Sequence, residues 1–150
     1  MAKTIYVLNG PNLNLLGTRE PEKYGASTLA DVEKLCRAAA ARHRIAIEFR
    51  QSNHEGIIVD QIHEAAAKGA AGIVLNPAGY TTTSIAILDA IAAVKLPVIE
   101  VHITNIHARE SFRHNSYVSK VAKGVICGLG VQGYALAIDA LAETTGAAKR

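Results

Sequence analysis

Five short apolar runs rich in β-branched residues punctuate the chain, over residues 4–8, 45–49, 72–75, 98–101 and 124–127. They are mostly uninterrupted rather than alternating, the pattern of strands covered on both faces. Between them, apolar positions recur with helical period: Leu29, Val32, Leu35, Cys36 and Ala39, then Ile58, Ile62, Ala65 and Ala66. Two further sets follow, Ile85, Leu88, Ile91 and Ala92, and Tyr134, Ile138, Leu141 and Ala142. Thr28-Leu-Ala-Asp31 and Ser52-Asn-His-Glu55 have capping-box spacing and mark helix starts. The alternation of strand and helix predicts an α/β fold: a parallel sheet with right-handed crossovers and helices on both faces. Five strands in 150 residues suit a flavodoxin-like three-layer fold with strand order 2-1-3-4-5. The expectation is one domain over residues 1–150, with a mobile lid at 17–27 and a frayed tail at 144–150.

Composition narrows the functional classes. Hydrophobic residues make up 49% and charged residues 19%, and no apolar run approaches the roughly 18 residues of a membrane span. No signal-peptide pattern opens the chain, so a cytoplasmic location is expected, with no membrane partner. Two cysteines, Cys36 and Cys127, make no disulfide framework. The net charge is +3, but the 16 basic residues are scattered without a Lys/Arg-rich run, which argues against a nucleic-acid partner. With no Trp, two Phe and five Tyr, the core must be aliphatic and each tyrosine invites its own explanation.

Ligand sites of open parallel sheets lie beyond the carboxyl ends of the strands. The residues that follow the predicted strands are unusually polar: Asn9-Gly10-Pro11-Asn12, Gln51-Ser52-Asn53-His54, Asn76-Pro77-Ala78-Gly79-Tyr80 and His102-Ile103-Thr104-Asn105. Any one of these reads as a turn; four together favour a site. The stretch at 17–27 combines Arg19 with Tyr24. A phenol is a poor base at neutral pH, but a fixed guanidinium stabilises its anion and makes proton abstraction feasible. Glu100 and His102 stand two apart on one strand and share a face, so the carboxylate can orient and charge the imidazole as a general acid. Arg109 and Arg113, four apart, share a face if that stretch is helical, and two guanidiniums suit an anionic or hydroxylated ligand.

Several motifs are discounted. Gly128-Leu-Gly130-Val-Gln-Gly133 has dinucleotide-turn spacing but follows the last strand, leaving no room for the required βαβ unit. It is read as tight strand-to-helix packing. The six histidines lack metal-ligand spacing, so no metal is expected. Neither a P-loop nor a Gly-x-Ser-x-Gly elbow occurs.

Longer segments carry a family resemblance: Leu8-Asn-Gly-Pro-Asn-Leu-Asn-Leu-Leu-Gly17, Arg19-Glu-Pro-x-x-Tyr24-Gly25, Gln51-Ser-Asn-His-Glu-Gly56, Asn76-Pro77, Glu100-Val-His-Ile-Thr-Asn-Ile-His-Ala-Arg109, Phe112-Arg113 and Gly128-Leu-Gly-Val-Gln-Gly-Tyr134. Across nearly the whole chain they resemble the type II 3-dehydroquinate dehydratases. The resemblance implies a flavodoxin-like subunit, assembled as a dodecamer of trimers. It implies a cofactor-free dehydration of 3-dehydroquinate to 3-dehydroshikimate, by anti elimination through an enolate. It makes Tyr24 the base, with Arg19 favouring its ionised form, and Asn12 the holder of a water that stabilises the enolate. His102 becomes the acid, oriented by Glu100, while Asn76 contacts the departing hydroxyl. Ile103 and Thr104 match the substrate-carboxylate site, Arg113 matches a ring-hydroxyl ligand, and Asp89 matches an acid that reaches into a neighbouring subunit.

One stretch departs from the family's usual Asn-Pro-Gly-Ala-x-Thr-His-Thr-Ser. It reads Asn76-Pro-Ala-Gly-Tyr-Thr-Thr-Thr-Ser84, so Thr82 replaces a substrate-contacting histidine and Ala78-Gly79 are in swapped order. Thr82 can hydrogen-bond but is shorter and cannot become cationic, which predicts weaker substrate binding. A flavodoxin-like carboxylate-binding relative, without catalysis or with an altered substrate, is the alternative that this departure leaves open.

Overall fold

The computed structural model describes residues 3–147. Five parallel strands, β1 (Thr4–Asn9), β2 (Ala46–Gln51), β3 (Gly72–Asn76), β4 (Val98–His102) and β5 (Gly124–Cys127), pair in the order β2-β1-β3-β4-β5. This is the flavodoxin-like sheet, and each expected strand is present. Four long helices connect or follow them: α2 (Leu29–Ala41), α3 (Glu55–Ala67), α4 (Ile85–Val94) and α5 (Gln132–Thr144).

Strand alternation splits the core into two layers. Ile5 and Val7 of β1, with Val74, Ile99 and Val101, pack under α2 and α5 against Val32, Cys36, Tyr134, Ile138 and Leu141. Tyr6, Leu8, Ile73, Leu75 and Val98 pack on the other face against Ile58 and Ile62 of α3 and Ile87 and Ile91 of α4. Both faces being covered, β3 and β4 are buried at every position. Burial pushes the Cys36 thiol up to about 12, consistent with an inert apolar filler.

The two helix-start signals fare differently. Thr28 forms the full capping box: its side chain accepts from the Asp31 amide at 3.2 Å and Asp31 accepts from the Thr28 amide at 3.0 Å. Ser52 does not cap α3. Its hydroxyl accepts from the His54 amide at 2.9 Å, closing a local turn, and His54 is the residue that precedes the helix.

The stretch expected as a mobile lid contains one helical turn, α1 (Pro21–Tyr24). Pro21 occupies its first turn, where a missing N–H costs nothing. At the other end, Thr144 closes α5 and Ala147 is buried, within the stretch expected as a frayed tail. Its remaining residues, 148–150, lie outside the described residues.

Candidate active site

Loop contacts at the carboxyl edge of the sheet build a cavity. The Gly10 amide donates to the Asn76 carbonyl at 2.8 Å, pressing the loop after β1 onto the loop after β3. A Cβ at Gly10 would lie 2.5 Å from the Pro77 carbonyl oxygen, so only glycine permits this approach. Asn12, at φ 70°, donates its amide to Asn53 Oδ1 at 3.0 Å and so ties in the loop after β2. The resulting cavity, about 170 Å³, is lined by Asn12, Arg19, Tyr24, Asn76, His102, Ile103, Thr104, Arg109 and Arg113 among others. Nine of the eleven residues expected at the site are within or beneath it: eight line it, and Glu100 supports one of them from behind.

Tyr24 has two guanidiniums, differently placed from expectation. Arg19 Cζ stacks 4.9 Å from the ring centroid, whereas Arg109 Nη1 donates to the phenol oxygen at 2.9 Å and to Thr104 Oγ1 at 3.3 Å. Arg109 and Arg113 both face the cavity, yet not from one helix. Two separate 3-10 turns, Ile106–Ala108 and Ser111–Arg113, replace it, and Arg109 between them is extended. His114 Nε2–H donates to the Arg109 carbonyl at 2.8 Å, fixing that backbone.

His102 and Glu100 form the expected pair, with Nε2 donating to Glu100 Oε2 at 2.5 Å. Burial pushes the Glu100 carboxyl up, but the hydrogen bond and charge of His102, with the Ser119 and Thr81 hydroxyls, outweigh it and hold the carboxyl at about 2. An ionised partner favours the tautomer that carries its proton on Nε2. Thr81, Ser116 and Ser119 went unnoticed in the sequence: Ser116 and Ser119 follow no motif, and Thr81, within the Asn76–Ser84 stretch, reaches Glu100 only through the fold.

Asn76 is held by a second buried chain. Its Nδ2 donates to Tyr134 Oη at 2.8 Å, Tyr134 donates to Asn9 Oδ1 at 2.8 Å, and Asn76 Oδ1 accepts from the Ala78 amide at 3.1 Å. Tyr134, expected only to pack, therefore also orients the asparagine. Burial raises its phenol, and Tyr6 is pushed up to about 12 by burial and by Glu64, so neither is suited to base chemistry.

Two expected residues lie outside the cavity of this chain. Thr82 turns its hydroxyl to the Gly79 carbonyl at 3.0 Å, and Asp89 is exposed on α4. The glycine-rich stretch packs as expected: a Cβ at Gly128 would meet Asn105, and Gly133 lies against Val101 and Ile126.

A flavodoxin-like sheet whose carboxyl edge gathers a phenol, an imidazole and three arginines defines a class, an α/β protein equipped for acid–base chemistry on a small anionic ligand. The sequence model of the family described as Dehydroquinase class II matches residues 3–142, and the chain belongs to that family. It is 66% identical over 147 residues to a 3-dehydroquinate dehydratase of Acidovorax sp. (strain JS42), covering 95% of this chain and 99% of the relative. The type II dehydroquinase structure from Butyrivibrio crossotus superposes with TM-score 0.91 at 46% identity, covering 93% of this chain and 97% of that one. The type II dehydroquinase structure from Propionibacterium acnes does so with TM-score 0.91 at 45% identity, covering 95% and 98%.

Proposed function

We propose that the protein is a hydro-lyase that dehydrates 3-dehydroquinate to 3-dehydroshikimate by anti elimination through an enolate. The observation that carries this is the shared cavity: Tyr24 beside Arg19 and Arg109, and His102 beside an ionised Glu100, line or support one small space. The ionised phenol of Tyr24 takes the proton from the carbon next to the ketone, and the electron pair moves into an enolate. Asn12 stabilises the enolate oxygen through a bound water. The enolate then collapses, the carbon–oxygen bond breaks, and His102 Nδ1 gives its proton to the departing hydroxyl as water leaves. Transfer of the proton gained by Tyr24 to His102 through solvent then restores the tyrosinate and the protonated imidazole, so the cycle closes with no net proton change.

Ile103 and Thr104 hold the substrate carboxylate, Arg113 a ring hydroxyl and Asn76 the departing hydroxyl. Asp89 completes a neighbouring subunit's site in a homo-oligomer, a dodecamer built from trimers. Cytoplasmic work on a freely diffusing keto-acid suits this reading, which calls on no cofactor. A carboxylate binder without catalysis is not favoured, because a binder has no use for base and acid together, and the Acidovorax relative is itself named a dehydratase.

The test is incubation with 3-dehydroquinate while following the ultraviolet absorbance of the conjugated enone product. Turnover is expected, and Tyr24→Phe is expected to lower kcat at least ~100-fold, the scale of a lost general base. Well-folded protein without turnover would return the reading to the binder.

A further inference from the structure

The Glu100 carboxylate has more hydrogen-bond donors than an orienting residue needs. It is fully buried on β4, and in register with it stand only Leu75 of β3 and Val125 of β5. Besides His102, it receives Thr81 Oγ1 at 2.6 Å and Ser116 Oγ at 2.8 Å on Oε2, and Ser119 Oγ on Oε1. Thr81 belongs to the turn after β3, while Ser116 and Ser119 belong to the segment before β5. These two pieces of chain are themselves joined, since the Tyr117 amide donates to the Thr81 carbonyl at 2.8 Å, and the second piece is braced internally by the Ser119 amide donating to Ser116 Oγ at 3.0 Å. None of the three hydroxyl residues lines the 170 Å³ cavity.

We propose that Thr81, Ser116 and Ser119 are positioning residues for the acid step, a three-hydroxyl clamp that keeps Glu100 ionised and still so that its remaining bond aims the His102 ring. The inference rests on the proposed acid role of His102. A buried carboxylate without donors favours its neutral form, and the proton would then settle between Glu100 and His102 instead of on the imidazole. Each hydroxyl opposes this, because a donor stabilises the anion and not the acid. The clamp also limits rotation. With both oxygens engaged from two loops, the carboxylate plane is set before substrate arrives, which is the preorganisation an acid catalyst requires.

Few other charges reach this group. Among the described residues, His102 is the titratable group hydrogen-bonded to Glu100. Ser116 and Ser119 also border an outer groove of about 370 Å³ with His107, His114 and Lys120, and α4 carries the exposed Asp89. Those groups are exposed, and among the described residues none of them is hydrogen-bonded or ion-paired to Glu100.

Three variants test the clamp: Ser119→Ala, Thr81→Val and the two combined, with Ser119→Thr and Thr81→Ser as conservative controls. The Glu100 side-chain carboxyl carbon, followed by 13C NMR in the free protein, is expected to titrate about one pH unit higher for each lost hydroxyl, as for a lost hydrogen bond to a charged group. The acid limb of kcat should rise in parallel and kcat at neutral pH should fall about tenfold, with KM changed less than twofold. The conservative variants should restore both. Unmoved titration in the folded double variant, or a change confined to KM, overturns the clamp. Because the NMR readout needs no turnover, a failure of the clamp is distinguishable from a failure of the proposed reaction.

Discussion

Ala78 sits at φ 53°, in the left-handed region that glycine adopts freely and an alanine side chain resists. The family's usual order puts glycine at this position; in this chain Gly79 follows instead, exposed and with open space around its missing side chain. The swap thus places an alanine where the turn takes a left-handed backbone, at the cost of strain. Ala78→Gly is expected to stabilise the protein by ~1 kcal/mol, read from the urea midpoint, with Gly79→Ala near neutral. No shift in Ala78→Gly would mean that Ala78 is unstrained. Thr82, in the same turn, bonds back to Gly79, where the family's usual histidine is longer and can become cationic. Thr82→His is expected to raise kcat/KM for 3-dehydroquinate severalfold, mainly through KM. An unchanged value would make the position silent for substrate binding.

At the scale of elements, the strands were legible because a strand covered on both faces must be apolar throughout. Their ends were not: β1, β2, β3 and β4 each run one or two residues further than the apolar runs, into Asn9, Gln51, Asn76 and His102. These residues are polar yet remain in the ladder, and the same extension delivers Asn76 and His102 to the cavity. The segment from Asn105 to Lys120 was illegible for another reason. Its three 3-10 turns have no hydrophobic period, and side-chain bonds such as Asn105 Oδ1 accepting from the His107 amide hold them instead. Hence Arg109 was visible as a candidate but its contact with Tyr24 was not. Tyr134 shows how one element reaches the site: from the first turns of α5 it bridges Asn9 and Asn76 at the ends of β1 and β3. Tyr134→Phe keeps the packing but strands both asparagines in a buried place. It is expected to cost about 1–3 kcal/mol in unfolding free energy and to lower kcat by releasing Asn76, measured by urea denaturation and by the enone assay. Full activity and stability would show that the relay is dispensable.

For the whole molecule, the same buried carboxylate that supports the site sets its acid tolerance. The Glu100 carboxyl titrates at about 2 in the folded protein, against 4.5 for the group's ordinary value. A depressed folded value means that the unfolded chain binds the proton first as pH falls, so stability from Glu100 is complete above about 4.5 and is lost as pH falls toward 2. Glu20, Asp31, Glu64 and Glu110 are lowered as well, but they are not deeply buried and water screens their partners, so each adds little to this slope. Glu100→Gln separates the contributions. The variant is expected to be ~2 kcal/mol less stable at neutral pH, since the amide forfeits charge-assisted hydrogen bonds, and to lose much of the decline between pH 5 and pH 3. Urea midpoints across that range decide the matter: parallel curves for the two proteins would assign acid sensitivity to the surface carboxylates, whereas converging curves place it between the sheet and the loops that carry the acid–base pair.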